Sequence, residues 1–165
     1  MSGAGKTTIA RKLRDLWSES YPNTVLVDGD EIREIMQQDQ QKDSHTIAGR
    51  RKNAERITAL CQWLDQQNIN VVCSILSIFP DLRAQNRSNF SNYFEVFIDV
   101  PIEVLASRDT NNLYAPAMKG EVFDVVGIDI HFPVPEAPDL VIDNSKDGLD
   151  VEATAWEILE AAQAI

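Results

Sequence analysis

Basic residues are scarce in this chain: 15 Lys and Arg stand against 26 Asp and Glu, a formal net charge of −11. Contacts to nucleic-acid phosphates need clustered Lys and Arg, so this balance excludes a broad nucleic-acid surface and confines any bound anion to a local basic island. Long apolar runs are missing too, and none approaches the roughly 20 residues that a membrane helix needs. The start carries Lys6, Arg11 and Lys12 with no apolar segment between them, which is not the form of a secretory signal. A cytoplasmic protein is the expectation, with no membrane or nucleic-acid partner. Only two cysteines occur, Cys61 and Cys73, without metal-ligand spacing, and both read as reduced core residues. No repeat or low-complexity tract divides the 165 residues, which are expected to form one domain, 1–165.

Also lacking is the front half of a motif whose back half opens the chain. MSGAGKTT ends as the pattern G-x-x-x-x-G-K-[ST] ends, with Gly5, Lys6 and Thr7 in place. That pattern is a turn whose backbone N–H groups cradle the phosphates of a nucleotide. Its first glycine falls one residue before Met1, and no strand leads into the turn. The expectation is that Met1 is an internal methionine of the loop and that the first, central strand is missing from this chain. Two strands would then lose a hydrogen-bonding partner, leaving the 165-residue chain poorly stable and weakly active.

What is present alternates between helix and strand. Ile9, Leu13, Leu16 and Trp17 recur at helical spacing, so a helix is predicted to begin where the glycine loop ends. TVLVDGD (24–30), INVVCSIL (69–76), YFEVFIDV (93–100) and PDLVIDN (138–144) read as buried parallel strands. Helical patterns follow in EIREIMQQ, in RRKNAERITALCQWLDQQ, in VPIEVLASRD and in DVEATAWEILEAAQAI; residues 111–138 are too rich in turns and prolines to read as regular. Trp17, Trp63 and Trp156 lie on apolar helical faces and read as core. This order argues an α/β fold: an open, mostly parallel sheet covered by helices on both faces.

In such a sheet, functional groups gather at the carboxyl ends of the strands. The first visible strand ends in Asp28-Gly29-Asp30, the acidic groups that a kinase needs beside Mg²⁺, although the same residues also suit a plain helix cap. Arg33, Arg50, Arg56, Arg83 and Arg87 fall just beyond strand ends or at helix starts. Together they predict a basic island holding a second anionic molecule opposite ATP.

The succession of landmarks resembles the adenylylsulfate kinase family over nearly the whole chain. SGAGKTT, VDGDEIR, RRKNAER, SILSIFPDLRAQNR, FEVFIDVPIEVLASRD, LYAPAMKGEV, GID and PEAPDLVIDN appear in the family's order. The resemblance implies a three-layer P-loop kinase fold and transfer of the γ-phosphoryl group of ATP to the 3′-hydroxyl of adenylyl sulfate, a step of sulfate assimilation. It also implies that Gly3, Ala4, Gly5, Lys6, Thr7, Thr8 and Arg108 hold ATP, Arg108 from a lid, and that Thr7 and Asp28 hold Mg²⁺. Lys6, Asp28 and Asp30 would carry the chemistry, with Asp30 orienting the acceptor hydroxyl. Ser77 matches a family serine sometimes described as a phosphoserine intermediate, but direct in-line transfer needs none, and a lining role is expected. Arg33, Arg50 and Asn53 would grip the acceptor, with His45, Ser77 and Ile78 beside it. A homodimer is common in the family.

Four places depart from the family pattern. Two phenylalanines that sandwich the acceptor's adenine read here as His45 and Val125, a loss on the order of 1–3 kcal/mol per stacked base. The family's K-G-L-Y reads as Asn111-Asn112-Leu113-Tyr114, and the proline of its I-S-P-F reads as Ile78. The acceptor is therefore expected to be adenylyl sulfate or a related nucleotide derivative, such as the cytidine diphosphoramidate of surface-polysaccharide pathways. A module that binds ATP without transfer is the alternative.

Overall fold

The computed structural model describes residues 1–37, 43–109 and 112–164. Along the chain run α1 (Lys6–Ser20), β1 (Thr24–Asp28), α2 (Gly29–Ile35), α3 (Ile47–Gln66), β2 (Asn70–Ser74), α4 (Pro80–Asn89), β3 (Val96–Asp99), α5 (Ile102–Arg108), α6 (Tyr114–Met118), β4 (Leu140–Asp143) and α7 (Val151–Ala161). Each strand read from an apolar run is present. Two helices are additions. α4 carries little apolar surface to give it a periodic signal, and it starts with Pro80 in the first turn, where a missing N–H costs nothing. α6 is one short turn held by the Asp109 carboxylate, which accepts the N–H groups of Leu113, Tyr114 and Ala115.

The strands form two parallel pairs. β1 runs beside β2 from Thr24↔Asn70 to Asp28↔Ser74, and β3 beside β4 from Val96↔Leu140 to Asp99↔Asp143. Between the pairs lies a cleft of about 430 Å³, walled by Val71–Leu76, Val96–Ile98 and the apolar faces of α1 and α7. Within each pair the strands run parallel, as the sequence predicts, and β1 and β4 end at the glycine loop, Asp28 accepting from Thr7 and Asn144 donating to Ala4.

Apolar side chains hold the loop from below. Ala4, Val100, Leu105, Tyr114, Ala117 and Val125 form one buried cluster, with Leu105 fully enclosed; burying a side chain of that size contributes about 1.5–3 kcal/mol. α1 is fastened to α7 through Leu16, Ala155 and Leu159, with Leu13 and Trp17 packed against them. Two tryptophans depart from the expected core positions: Trp63 is 57% and Trp156 38% exposed. Cys61 is buried as expected, whereas Cys73 opens onto the cleft. Asn111, where the family's lid lysine would stand, lies outside the described residues.

Candidate functional site

Gly3 and Gly5 turn the loop with φ of 73° and 88°, left-handed conformations that glycine adopts without penalty. They deliver the chain into the first turn of α1, where the N–H groups of Lys6, Thr7 and Thr8 have no intrahelical partner and can face an anion. Ala4 between them is buried. The loop is pinned from two sides: Tyr114 Oη donates to the Ser2 carbonyl at 2.9 Å, and Asn144 Nδ2 to the Ala4 carbonyl at 3.1 Å. Lys6 Nζ folds back to donate to the Met1 carbonyl at 2.8 Å. Burial lowers the proton affinity of Lys6, while Asp30 and Asp28 act against that.

At the end of β1, Asp28 serves two neighbours. Its Oδ2 accepts from Thr7 Oγ1 at 2.7 Å, and its Oδ1 caps α2 by accepting from the Asp30 N–H at 2.9 Å. Burial pushes the Asp28 carboxyl up, but hydrogen bonds from Thr7 and the Asp30 N–H, helped by Ser74 and the Glu31 N–H, outweigh it and hold the carboxyl below its ordinary value. Ser74 lies opposite Asp28 in the β1–β2 register, close enough to help but without a hydrogen bond of good geometry. A hydroxyl and an ionised carboxylate in contact are hard oxygen donors, the set that Mg²⁺ accepts while keeping waters and substrate phosphates as its remaining ligands.

Asp30 extends into solvent, its side chain 88% exposed, and accepts from Arg33 Nη1 at 2.8 Å. The rest of Arg33 is enclosed, and its Nε has no partner among the described residues. Opposite, Arg50 on α3 joins two segments with one guanidinium: Nε donates to the His45 carbonyl at 2.7 Å and Nη2 to the Asp124 carbonyl at 2.8 Å. The segment holding His45 lies tight against α3, where a Cβ at Gly49 would meet the Asp43 carbonyl oxygen at 2.1 Å. Burial first, then Arg33 and Arg50, lowers the proton affinity of the His45 imidazole. Asp30 is thus the joint of the site. It touches Arg33 and stands near enough to Lys6 and His45 to act on the protons of both.

Other expected residues stand elsewhere or in other roles. Asn53, one turn along α3 from Arg50, is 5% exposed and keeps its Oδ1 without a partner among the described residues. The Ser77 carbonyl accepts from Arg83 Nη1 at 3.0 Å. Ile78 is buried in a cluster with Phe79, Leu82, Val126 and Ile130, leaving little surface for a ligand, and Val125 is enclosed under the loop. Arg108 reaches the far side of the loop, donating to the carbonyls of Asn144 and Lys146 at 2.8 and 2.9 Å and to Asp147. The expected island of five arginines is smaller than the sequence suggested. Arg83 faces Glu95 and the Pro133 carbonyl, and Arg87 is held by Asp139 and Glu95, so both tie α4 to the segments that lead into β3 and β4.

Three contributors were not read from the sequence. Asn144 could have been found as a polar residue at the carboxyl end of a parallel strand. Tyr114, which holds Ser2, had no such signal. Asp129 gathers the Asp124 and Val125 N–H groups at 2.6 and 2.7 Å and so shapes the segment that Arg50 grips.

Comparison with known proteins adds four findings. The family model described as adenylylsulphate kinase matches residues 1–143. The chain is 36% identical to the cytidine diphosphoramidate kinase of Campylobacter jejuni over 145 residues, 88% of this chain and 82% of that protein. It is 32% identical to the adenylyl-sulfate kinase of Myxococcus xanthus over 164 residues, 97% of this chain and 85% of that protein. Among solved structures, the APS kinase of Mycobacterium tuberculosis in complex with AMPPNP and APS superposes with a TM-score of 0.85 at 26% identity, covering 99% of this chain and 93% of that one.

Proposed function

The chain belongs to the adenylylsulphate kinase family, and from that premise we propose that it moves the γ-phosphoryl group of ATP to a sugar hydroxyl of adenylyl sulfate or of a closely related nucleotide derivative. The observation that carries this reading is the position of Asp30, which joins a phosphate loop with its Thr7–Asp28 pair on one side to the Arg33–Arg50 pair on the other.

The loop N–H groups with Gly3, Ala4, Gly5, Thr7 and Thr8 receive the phosphates of ATP. Lys6 leaves the Met1 carbonyl to neutralise the β- and γ-oxygens, an exchange of one hydrogen bond for a charge-assisted one. Thr7 and Asp28 would hold Mg²⁺, which would offset the negative charge of the phosphates. Arg33 and Arg50, with Asn53, grip the anionic part of the acceptor, and His45 and Ser77 flank it. Asp30 accepts a hydrogen bond from the acceptor hydroxyl and aims its oxygen along the line of displacement. Arg108 secures the far side of the ATP site. Charge compensation and alignment are what phosphoryl transfer asks of a protein, and no covalent intermediate is required.

A second acceptor is favoured by two specific observations: the 36% identity to a cytidine diphosphoramidate kinase, and the burial of Val125, which leaves no ring at that place to stack on adenine. Acceptor-dependent ADP release, with adenylyl sulfate and cytidine diphosphoramidate offered side by side, separates the readings. Turnover with adenylyl sulfate supports the first, and turnover with the cytidine compound alone supports the second. ATP binding with no turnover on either would leave a nucleotide-binding module.

A further inference from the structure

Residues 124–130 fold back on themselves in a tight turn. The Val125 carbonyl accepts the N–H groups of Ile128, Asp129 and Ile130 at 3.1, 3.2 and 3.2 Å, and the Gly127 N–H reaches the Ile130 carbonyl at 2.8 Å. This returns the Asp129 carboxylate to the start of the turn, where Oδ2 takes the Asp124 N–H at 2.6 Å and Oδ1 the Val125 N–H at 2.7 Å. Asp124 has a φ of 63°, a conformation uncommon for a residue with a Cβ, and these two bonds hold it there. The Val125 N–H belongs to the same peptide unit as the Asp124 carbonyl, which accepts from Arg50 Nη2 at 2.8 Å. One peptide unit thus stands between an anion at its N–H and a cation at its oxygen. Hydrogen bonds in such a series polarise one another, so each end strengthens the other. Burial pushes the Asp129 carboxyl up, but the Val125 and Asp124 N–H groups, with Arg50 also acting on it, hold it below its ordinary value.

We propose that Asp129 is a positioning residue for the acceptor site, holding the Arg50 guanidinium in place through the Asp124–Val125 peptide. The inference rests on the acceptor role given to Arg50 above. Arg50 is a fork with two anchored prongs: Nε on the His45 carbonyl at 2.7 Å and Nη2 on the Asp124 carbonyl. A planar guanidinium fixed at two points has its remaining edge aimed, and the second point stays where it is only while Asp129 holds the peptide from behind. Asp129 acts without touching the acceptor.

The test compares Asp129→Asn, Arg50→Lys and the double variant. Asparagine keeps the size of the side chain but removes its charge and turns one acceptor into a donor. Asp129→Asn is expected to raise the acceptor KM about tenfold and leave the ATP KM unchanged, with the double variant no worse than Arg50→Lys alone. Equal rises in both KM values would overturn the proposal, as would a double variant impaired about a hundredfold, the sum of two independent effects. Should neither adenylyl sulfate nor cytidine diphosphoramidate be turned over, the functional reading fails, and amide exchange followed by NMR still decides the link between Asp129 and Arg50. Asp129→Asn is expected to speed exchange at Asp124 and Val125 and also at Thr46, whose N–H shares a peptide with the His45 carbonyl that Arg50 holds. A rise confined to residues 124–130 would make Asp129 a local brace and overturn the proposal. If Asp129→Asn does not fold, Arg50→Lys reads the same link from its other end, and a Val125 N–H that exchanges no faster than in the wild-type chain would overturn it.

Discussion

Asn144 donates its Nδ2 to the Ala4 carbonyl, 3.1 Å away and out of reach of solvent, linking the end of β4 to a loop 140 residues earlier. Its own N–H meets the Asp99 carbonyl at 3.0 Å and its carbonyl takes Arg108 Nη1. Asn144→Ala leaves the Ala4 oxygen buried without a donor, which costs about 1–3 kcal/mol. Denaturant unfolding is expected to show that loss, with a several-fold rise in KM for ATP and no change in KM for the acceptor.

Gly5→Ala strikes the same place from the other side. The new Cβ would lie 2.9 Å from Asn144 Nδ2, at a backbone φ of 88° that costs an L-residue about 1–2 kcal/mol. Equilibrium binding of a non-hydrolysable ATP analogue is expected to weaken at least about tenfold, since each 1.4 kcal/mol is one decade.

Asp28→Asn preserves shape while removing the charge that Thr7 addresses. A fall in kcat of about a hundredfold or more is expected, together with a higher Mg²⁺ concentration for half-maximal rate. An unchanged Mg²⁺ requirement would remove Asp28 from the metal site.

Much of this was legible before any coordinates. Four strands announced themselves as apolar runs, and Gly5-Lys6-Thr7 and Asp28-Gly29-Asp30 marked two segments that the fold joins through the Thr7–Asp28 hydrogen bond, because backbone geometry and local charge are written in adjacent residues. Side-chain pairing between distant segments was not. Arg83 and Arg87 look like ligand residues until Glu95 and Asp139 are folded against them. Asp129 and Tyr114 carry no local pattern at all. Trp63 and Trp156 show the opposite failure, since an apolar stripe tells which residues share a helical face but not how far the neighbouring layer extends.

Arg50→Lys keeps the charge and loses the fork. An ammonium group cannot span the His45 and Asp124 carbonyls as a planar guanidinium does. The expected result is a rise of roughly tenfold or more in acceptor KM, by the same 1.4 kcal/mol per decade, with ATP KM unaffected. Equal changes in both would place Arg50 in the general scaffold.

His45 sets a pH dependence. Burial and two arginines lower its proton affinity in the folded chain, so the unfolded chain binds the proton more readily. Stability is fully present above the ordinary histidine value near 6.5 and declines as pH falls below it toward the lowered folded value. Melting temperatures from pH 8 to 5 are expected to fall more for the wild-type chain than for His45→Gln, with the difference confined below about pH 6.5. Parallel curves would sink this account.

Both oxygens that Arg50 holds belong to the main chain. Any residue at position 45 or 124 still presents a carbonyl, so the clamp tolerates replacement of either side chain while the opening keeps its frame. Substrate preference can therefore drift by point changes on that rim without rebuilding the machinery beneath it. A scaffold of this kind lets one phosphorylation chemistry be inherited by enzymes that recognise different nucleotides.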